Sequence, residues 1–238
     1  RQLAERLADT QTSQNFYESA KKVWNLWSEE LQHFAPKDNA GKWASPFDIN
    51  VCRKDSWNDP YFYEGVSRSW TYNVQADFAG LVARCGGEVG FEQHLDRYFE
   101  DKKIIAKETF MHIPYLYHYA NRPDKSSKIV RRILSKAYKP ERFGIPDNED
   151  MGCHSAFYIC GLLGIYPMMG QDWYFLVAPA FERSVITLGL SGAELIIEAQ
   201  KASDKNVYIE SASLNGARLD RAWIRHEEIK HGAVLSFS

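Results

Sequence analysis

The hydrophobic period of the chain changes once, near Gly170, and this change limits the folds that are open to it. Before Gly170, apolar residues recur at steps of three and four, the spacing that covers one face of an α-helix. Turns such as Gly86-Gly87 separate neighbouring helical segments, so we expect helical hairpins. The spacing predicts helices over residues 13–31, 69–85, 89–99, 113–119, 126–138 and 155–163.

After Gly170, apolar residues stand in short alternating or β-branched runs, which are typical of strands. Turn pairs such as Asn215-Gly216 lie between the runs and favour antiparallel hairpins. Helices followed by strands indicate an α+β fold. We predict a helical-hairpin portion over residues 1–170, forming part of an (α/α) toroid, and an antiparallel β-sandwich portion over residues 171–238. The runs cover residues 173–177, 184–188, 194–199, 206–211, 222–224 and 233–237.

Charge and composition exclude several classes of protein. The 238 residues include 29 Lys and Arg against 31 Asp and Glu, so no basic excess favours nucleic acid as a partner. No apolar run approaches the roughly 18 residues of a membrane span. The four cysteines lack the paired spacing of a zinc or redox motif. Because the helical pattern is already under way at Arg1, we expect the chain to be part of a longer polypeptide.

Acidic residues stand at the turns of the helical portion. Glu64 ends a Tyr-Phe-Tyr-Glu run, Glu108 precedes an aromatic segment, and residues 147–150 have the sequence Asp-Asn-Glu-Asp. In an array of helical hairpins, the loops at one end converge on a concave surface, so we expect these acids to meet. Glycoside hydrolysis requires two carboxyl groups, one protonated and one ionised. Aromatic neighbours such as Tyr61 and Trp70 offer faces on which sugars stack.

A structural role explains the same residues. Residues 147–150 are suited to cap the helix predicted over 155–163, since carboxylates interact favourably with a helix N-terminus. Glu64, which precedes a glycine, is suited to a helix end. Aromatic stripes at helical spacing more often form a core than a ligand platform. On motifs alone the structural role is favoured, and carbohydrate chemistry is a hypothesis beside it.

A longer pattern resembles a known family. Residues 144–158 have the sequence Gly-Ile-Pro-Asp-Asn-Glu-Asp-Met-Gly-Cys-His-Ser-Ala-Phe-Tyr, and Leu-Gly-Ile-Tyr-Pro follows at 163–167. They are similar to the Gly-x-Pro-Gly-Asn-Asp-Asp-x-Gly-x-Met-Ser-Ala-Trp-Tyr and Leu-Gly-Phe-Tyr-Pro signature of glycoside hydrolase family 92. Residues 63–65 and 113–119 resemble its Tyr-x-Glu-Gly and Tyr-Leu-Tyr segments. The resemblance covers nearly the whole chain, as the C-terminal part of the catalytic region.

Members of that family are calcium-dependent, inverting exo-α-mannosidases, and the resemblance implies roles for particular residues. Glu64 matches the general acid and Asp150 the general base. Asn148 and Glu149 occupy the adjoining acidic positions, and we expect them, with Trp70 and His112, to bind substrate. Glu108 is retained from the family pattern and is the expected calcium ligand. Inversion implies carboxyl groups roughly 6.5–9.5 Å apart, with a water molecule between base and sugar. A mannose-containing glycan as substrate, and a secreted or periplasmic location, are further expectations from the family.

Two segments depart from the family pattern. Its Asn-Ala-Trp-Gln-Tyr is Val-Ser-Arg-Ser-Trp at residues 66–70, and its Asn-Glu-Pro-Ser-His-His is Lys-Glu-Thr-Phe-Met-His at residues 107–112. Lys107 places an ammonium where a calcium ion requires an oxygen ligand, which disfavours calcium binding. Two alternatives therefore stay open: a non-catalytic carbohydrate-binding or structural homologue, and a metal-independent α-toroid hydrolase acting on another sugar.

The length sets another expectation. Only about half of a six-hairpin toroid fits within residues 1–170. Apolar helix faces would be exposed unless the remainder of a longer polypeptide, or a partner chain, covers them. We expect no nucleic acid partner and no membrane span.

Overall fold

The computed structural model describes residues 2–52, 57–100 and 107–238. Helices and strands are both present, which confirms the α+β prediction. The helices are α1 (Gln2–Arg6), α2 (Thr10–Lys21), α3 (Ser67–Trp70), α4 (Phe78–Arg84), α5 (Gly87–Glu100), α6 (Pro123–Ala137), α7 (Cys153–Leu163) and α8 (His226–Ile229). The strands are β1 (Trp27–Ser28), β2 (His33–Phe34), β3 (Ile165–Pro167), β4 (Trp173–Leu176), β5 (Arg183–Leu188), β6 (Ala193–Ala199), β7 (Ala212–Leu214), β8 (Ala217–Leu219), β9 (Trp223–Arg225) and β10 (Ala233–Phe237).

The chain divides into two compact units, residues 1–94 and residues 95–238. The change from helix to strand that the sequence indicates near residue 170 falls within the second unit. The division into domains at residues 170 and 171 stays a prediction. No helix within the described ranges has the length and apolarity that crossing a bilayer requires.

In the first unit, the helix predicted over residues 13–31 ends early. Helix α2 is capped by Asp9, whose Oδ1 accepts a hydrogen bond from Thr12 N at 3.0 Å. It gives way after Lys21 to a 3₁₀ turn and then to β1. Trp27 of β1 is buried and meets Phe34 of β2 edge-to-face, with centroids 5.9 Å apart. This aromatic packing overrides the helical spacing, because burying two large rings outweighs local propensity.

A second departure in this unit concerns the helix predicted over residues 69–85. It is two helices, α3 and α4, separated by an irregular segment. Asp77 caps the N-terminus of α4: its Oδ1 accepts from Gly80 N at 2.8 Å, and its Oδ2 accepts from Trp24 Nε1 at 2.9 Å. Both ends of α3 are held against β2, since Ser67 Oγ donates to Phe34 O and Phe34 N donates to Oγ1 of Thr71, the residue after the helix.

In the second unit, helices α6 and α7 pack against each other closely. Gly161 of α7 permits this approach, because a Cβ there would lie 2.9 Å from Leu134 Cδ1 and 3.2 Å from Val130 Cγ1. Helix α6 also packs against the 3₁₀ segment Ile113–Ala120. The predicted helices over 126–138 and 155–163 are confirmed within three residues at each end, whereas residues 113–120 form the tighter 3₁₀ helix.

Polar side chains fasten these helices to the strands of the same unit. His118 Nε2 lies 2.9 Å from the carbonyl oxygen of Leu176, at the end of β4. Ser127 Oγ accepts from Ala178 N at 3.0 Å, and Arg131 donates to Pro179 O at 2.8 Å. Each of these bonds satisfies a backbone group beyond the end of β4 or at its last residue.

Two sheets form the strand-rich part of the second unit. One has the order β3-β4-β9 and is antiparallel. The other has the order β5-β6-β10-β7-β8, and its inner face carries a buried cluster that includes Leu195, Ile197 and Leu235. The prediction of a purely antiparallel β portion is wrong at one pair, since β10 runs parallel to β6. The 33 residues between them provide the crossover that parallel pairing requires.

Candidate active site

Glu64, the predicted general acid, lies in the first unit in a strained backbone conformation. Its φ is +53°, in the left-handed region that a residue with a Cβ adopts at a cost of about 1–2 kcal/mol. The side chain is half-buried, three residues before α3 begins. Non-glycine residues held in this conformation cluster at functional sites, so the geometry supports a functional role for Glu64.

Trp70 fixes the backbone that presents Glu64. Its indole Nε1 donates to the carbonyl oxygen of Tyr63 at 2.8 Å, immediately before the acid. The substrate contact expected of Trp70, as an aromatic ring near the acid, stays a prediction. What the geometry adds is a positioning role, since this bond joins the end of α3 to the Glu64 turn.

Two exposed aromatic rings lie on the segment of chain that leads to Glu64. Trp57 and Tyr63 are 54% and 55% exposed and lie edge-to-face, with centroids 5.5 Å apart. Asp59 orders the intervening chain, because its Oδ1 accepts from Tyr61 N at 2.8 Å and from Phe62 N at 2.9 Å. Rings of this size left in solvent beside an acid are suited to stack on a sugar face.

Asp150, the predicted general base, lies in the second unit at the start of a short 3₁₀ turn, Asp150–Gly152. Its side chain is exposed, as is that of Asn148. The next residue, Met151, also has a left-handed backbone, with φ of +56°, and is fully exposed. An exposed apolar side chain on a strained turn is costly to the fold, which supports a functional reason for this conformation.

Glu149 has the structural role that the motif alone favours. Its Oε1 accepts a hydrogen bond from Ser155 N at 3.0 Å, in the first turn of α7. Gly152, at the N-cap position, has no side chain to make that bond, so Glu149 takes over the capping. The capping interpretation is confirmed for Glu149, and its predicted contact with substrate stays a prediction.

Lys107 forms an ion pair with Asp147, the first residue of the acidic loop (residues 147–150), and no sequence pattern reveals this contact. Lys107 Nζ lies 2.8 Å from Asp147 Oδ2, and both side chains are about three-quarters buried. Hydrogen bonding from Lys107 holds the pKa of Asp147 below its usual range, so the carboxylate is ionised. Sequence separation hides such a pair, because nothing local in residues 107 or 147 indicates that they meet.

Glu108 and His112 follow Lys107 in the chain, and His112 directly precedes the 3₁₀ segment Ile113–Ala120. Glu108, the predicted calcium ligand, begins a separate short 3₁₀ turn and is half-buried. Burial, and then the charges of Glu108 and Glu149, raise the pKa of the Cys153 thiol, so Glu108 shares the electrostatic environment of the acidic loop. His112 is 1% exposed, which favours a packing role, and its predicted contact with substrate is untested.

The donor set in this region does not fit a calcium ion. Calcium takes six to eight oxygen ligands, several of them carboxylates. Across residues 2–52, 57–100 and 107–238, no three His, Cys, Asp or Glu side chains are grouped to hold a metal. An ammonium also occupies one face of the Asp147 carboxylate. The assignment of Glu108 as a calcium ligand therefore stays a prediction from the resemblance.

The site residues fall into two groups, one in each unit. Trp70 and the Glu64 turn are joined in the first. Lys107, Glu108 and residues 147–150 are neighbours in the second. The predicted separation of the Glu64 and Asp150 carboxyl groups stays a prediction.

Comparison with known protein families identifies the class of protein to which the chain belongs. All of residues 1–238 match the model of a glycosyl hydrolase catalytic domain. The domain is that of glycosyl hydrolase family 92, and the chain belongs to this family.

Solved structures and a curated relative agree with this membership. A family GH92 α-mannosidase from Bacteroides thetaiotaomicron, also solved with mannoimidazole, superimposes with a TM-score of 0.88 at 25% identity, over 98% of this chain and 31% of that one. A family GH92 inverting mannosidase from the same organism gives 0.86 at 28% identity, over 99% and 34%. An uncharacterized secreted glycosidase of Arthroderma benhamiae is 32% identical over 215 residues, 86% of this chain and 28% of the relative. The chain thus spans about a third of the length of these proteins.

Proposed function

We propose that the polypeptide containing this chain is an inverting exo-α-mannosidase that removes terminal α-mannose from glycans. The observation that carries this proposal is the family match along all 238 residues, together with two similar solved structures that are GH92 mannosidases, one of them described as inverting. Glu64 is the proposed general acid and Asp150 the proposed general base, as the family resemblance implies.

The chemistry follows from these two carboxyl groups. Glu64 donates a proton to the glycosidic oxygen as the bond from that oxygen to the anomeric carbon breaks. Asp150 removes a proton from the water that attacks the anomeric carbon from the opposite face, which inverts the configuration. Trp57 and Tyr63 stack on the sugar beside Glu64, and the Trp70 bond to the Tyr63 carbonyl holds the acid in position.

We also propose how the helices and sheets of the chain are arranged. The helices of residues 1–170 form part of an (α/α) toroid, and the two sheets that follow form a β-sandwich portion. The remainder of a longer polypeptide covers the open side of the toroid. Secretion is part of the proposal too, and the name of the Arthroderma benhamiae relative supports it.

The test is release of mannose from α-mannosides by the complete polypeptide, with the product anomer followed by NMR. We expect β-mannose as the first product. Glu64→Gln should lose turnover of substrates with poor leaving groups but retain it on an activated aryl mannoside, because only proton delivery is removed. Asp150→Asn should lose nearly all activity on both. Glu210→Gln, an exposed carboxylate in the strand-rich part, is the matched control.

Two outcomes would contradict this assignment. Wild-type rates in Glu64→Gln and Asp150→Asn would remove both residues from their roles. Saturable mannoside binding by a folded, complete protein that hydrolyses nothing would favour a non-catalytic carbohydrate-binding homologue. The altered segments at residues 66–70 and 107–111 make this the second candidate.

A further inference from the structure

The Lys107–Asp147 ion pair joins two departures from the family signature. Lys107 stands at a signature asparagine, and Asp147 stands at the second glycine of Gly-x-Pro-Gly-Asn-Asp-Asp. The two residues are 40 positions apart in sequence, and their charged atoms lie 2.8 Å apart. A new cation and a new anion, each replacing an uncharged residue, therefore contact each other.

A third departure lies in the same place. His154 stands at the methionine of the signature, is fully buried, and accepts or donates at Nδ1 to the Tyr138 hydroxyl at 3.0 Å. The Lys107 hydrogen bond is the main cause that lowers the pKa of Asp147, and the charge of His154 adds to it. Lys107 and His154 thus both favour the ionised form of the Asp147 carboxyl group, and Lys107 is its ion-pair partner.

The position of Lys107 explains what the pair replaces. Lys107 directly precedes Glu108, which the resemblance assigns to calcium, and the acidic loop supplies Asp147, Glu149 and Asp150. Such a group of carboxylates needs a cation nearby to limit their mutual repulsion. A side-chain ammonium supplies that charge permanently, whereas a divalent ion would have to displace an ammonium already bonded to Asp147.

We propose that the Lys107–Asp147 pair takes the place of the calcium ion in this member of the family, so that its acidic loop is organised by an internal cation and is indifferent to calcium. The effect of the pair on activity rests on the proposed function. Its effect on calcium binding does not depend on that function. An ordinary structural ion pair would stabilise the loop without changing calcium affinity, so calcium affinity is the measurement that separates the two.

The experiment uses the complete polypeptide, freed of divalent ions with EGTA and then titrated with calcium chloride by isothermal calorimetry. Lys107→Asn combined with Asp147→Gly restores the residues of the family signature. We expect this double variant to bind one more calcium ion than the wild type, with a Kd below about 1 mM, the weak end of protein calcium sites. Lys125→Asn is the matched control, because it breaks another Lys–Asp pair of this unit, 2.5 Å from Asp96 Oδ2, and should add no calcium site.

Mannose release gives the second measurement. Wild-type activity should change less than about twofold between EGTA and calcium, whereas the double variant should be at least about tenfold more active with calcium. The proposal is overturned if EGTA abolishes wild-type activity, or if the folded double variant binds the same number of calcium ions as the wild type. If the double variant does not fold, Lys107→Asn alone serves for the same comparison. Should no protein release mannose, the proposed function fails, and the calorimetric stoichiometry still decides the question of calcium.

Discussion

His118 makes the stability of the second unit depend on pH. Its Nε2 lies 2.9 Å from Leu176 O, its Nδ1 lies 2.8 Å from Tyr115 O, and its ring stacks on Phe175 with centroids 4.3 Å apart. Burial lowers the pKa of His118 from 6.5 to about 4, even though the two carbonyl oxygens favour the charged ring. The folded state therefore holds this imidazole neutral at pH values where the unfolded chain protonates it.

The size of the effect follows from the two pKa values. Above pH 6.5 both states are neutral at His118, so the residue adds no pH dependence there. Below pH 6.5 the unfolded state binds the proton first, and the free energy of unfolding falls until the pH passes the folded pKa of about 4. A difference of 2.5 pKa units, 6.5 minus 4, corresponds to about 3 kcal/mol in full, of which about 2 kcal/mol is lost by pH 5.

The assay is urea unfolding at pH 7.5 and pH 5 of the wild type and of His118→Gln, which retains polar atoms but does not titrate in this range. We expect the wild type to lose about 2 kcal/mol more than the variant between these pH values. His231→Gln, at an exposed histidine, controls for the loss of an imidazole, and an NMR titration of the His118 ring measures its pKa directly. Parallel losses in the wild type and His118→Gln, or a ring that titrates near pH 6.5, would refute the reasoning.

Three further substitutions test the packing and the site. Asp77→Ala should lower the free energy of unfolding by about 1–2 kcal/mol in urea, since it removes a helix cap and the acceptor of Trp24 Nε1. Gly161→Val should lower it by about 1–3 kcal/mol, because a β-branched side chain overfills the contact between α6 and α7. Trp70→Phe should reduce kcat about five- to tenfold with little change in stability, because the bond that holds the Tyr63 carbonyl is lost.

Each of these has a result that would contradict it. An Asp77→Ala variant as stable as the wild type would show that other groups cap α4. A Gly161→Val variant as stable as the wild type would show that α6 and α7 separate at little cost. A Trp70→Phe variant that changes KM alone would assign Trp70 to substrate binding rather than to positioning.

Local patterns predicted much of the helical chain and little of its long-range pairing. Helix α6 could be placed from sequence because its apolar residues keep a helical period throughout. Residues 22–28 keep a similar spacing of apolar residues but form a 3₁₀ turn and a strand. The packing of Trp27 on Phe34 determines the backbone conformation there. The strand predicted over residues 206–211 is absent, and a short one lies at Ala212–Leu214 instead, because pairing with β10 selects the register.

The candidate site shows the same limit. Glu64 and Asp150 could be singled out because a family signature surrounds each of them. The left-handed backbone of Glu64 and the ion pair of Lys107 depend on contacts that no local pattern encodes. The capping role of Glu149 could be predicted from sequence, because a carboxylate shortly before a helix is a common signal of the helix N-terminus.

The central position of β10 has a consequence for how the chain folds during synthesis. The hairpins β5–β6 and β7–β8 each form from strands that are close in sequence. Within the sheet, β10 lies between the two hairpins and joins them, and it leaves the ribosome after both. Until β10 inserts, each hairpin presents an unpaired edge, and edges of this kind attract other strands. The yield of this sheet in a cell therefore depends on β10, which emerges after both hairpins. A defect in β10 would first be seen as aggregation during translation rather than as a loss of equilibrium stability.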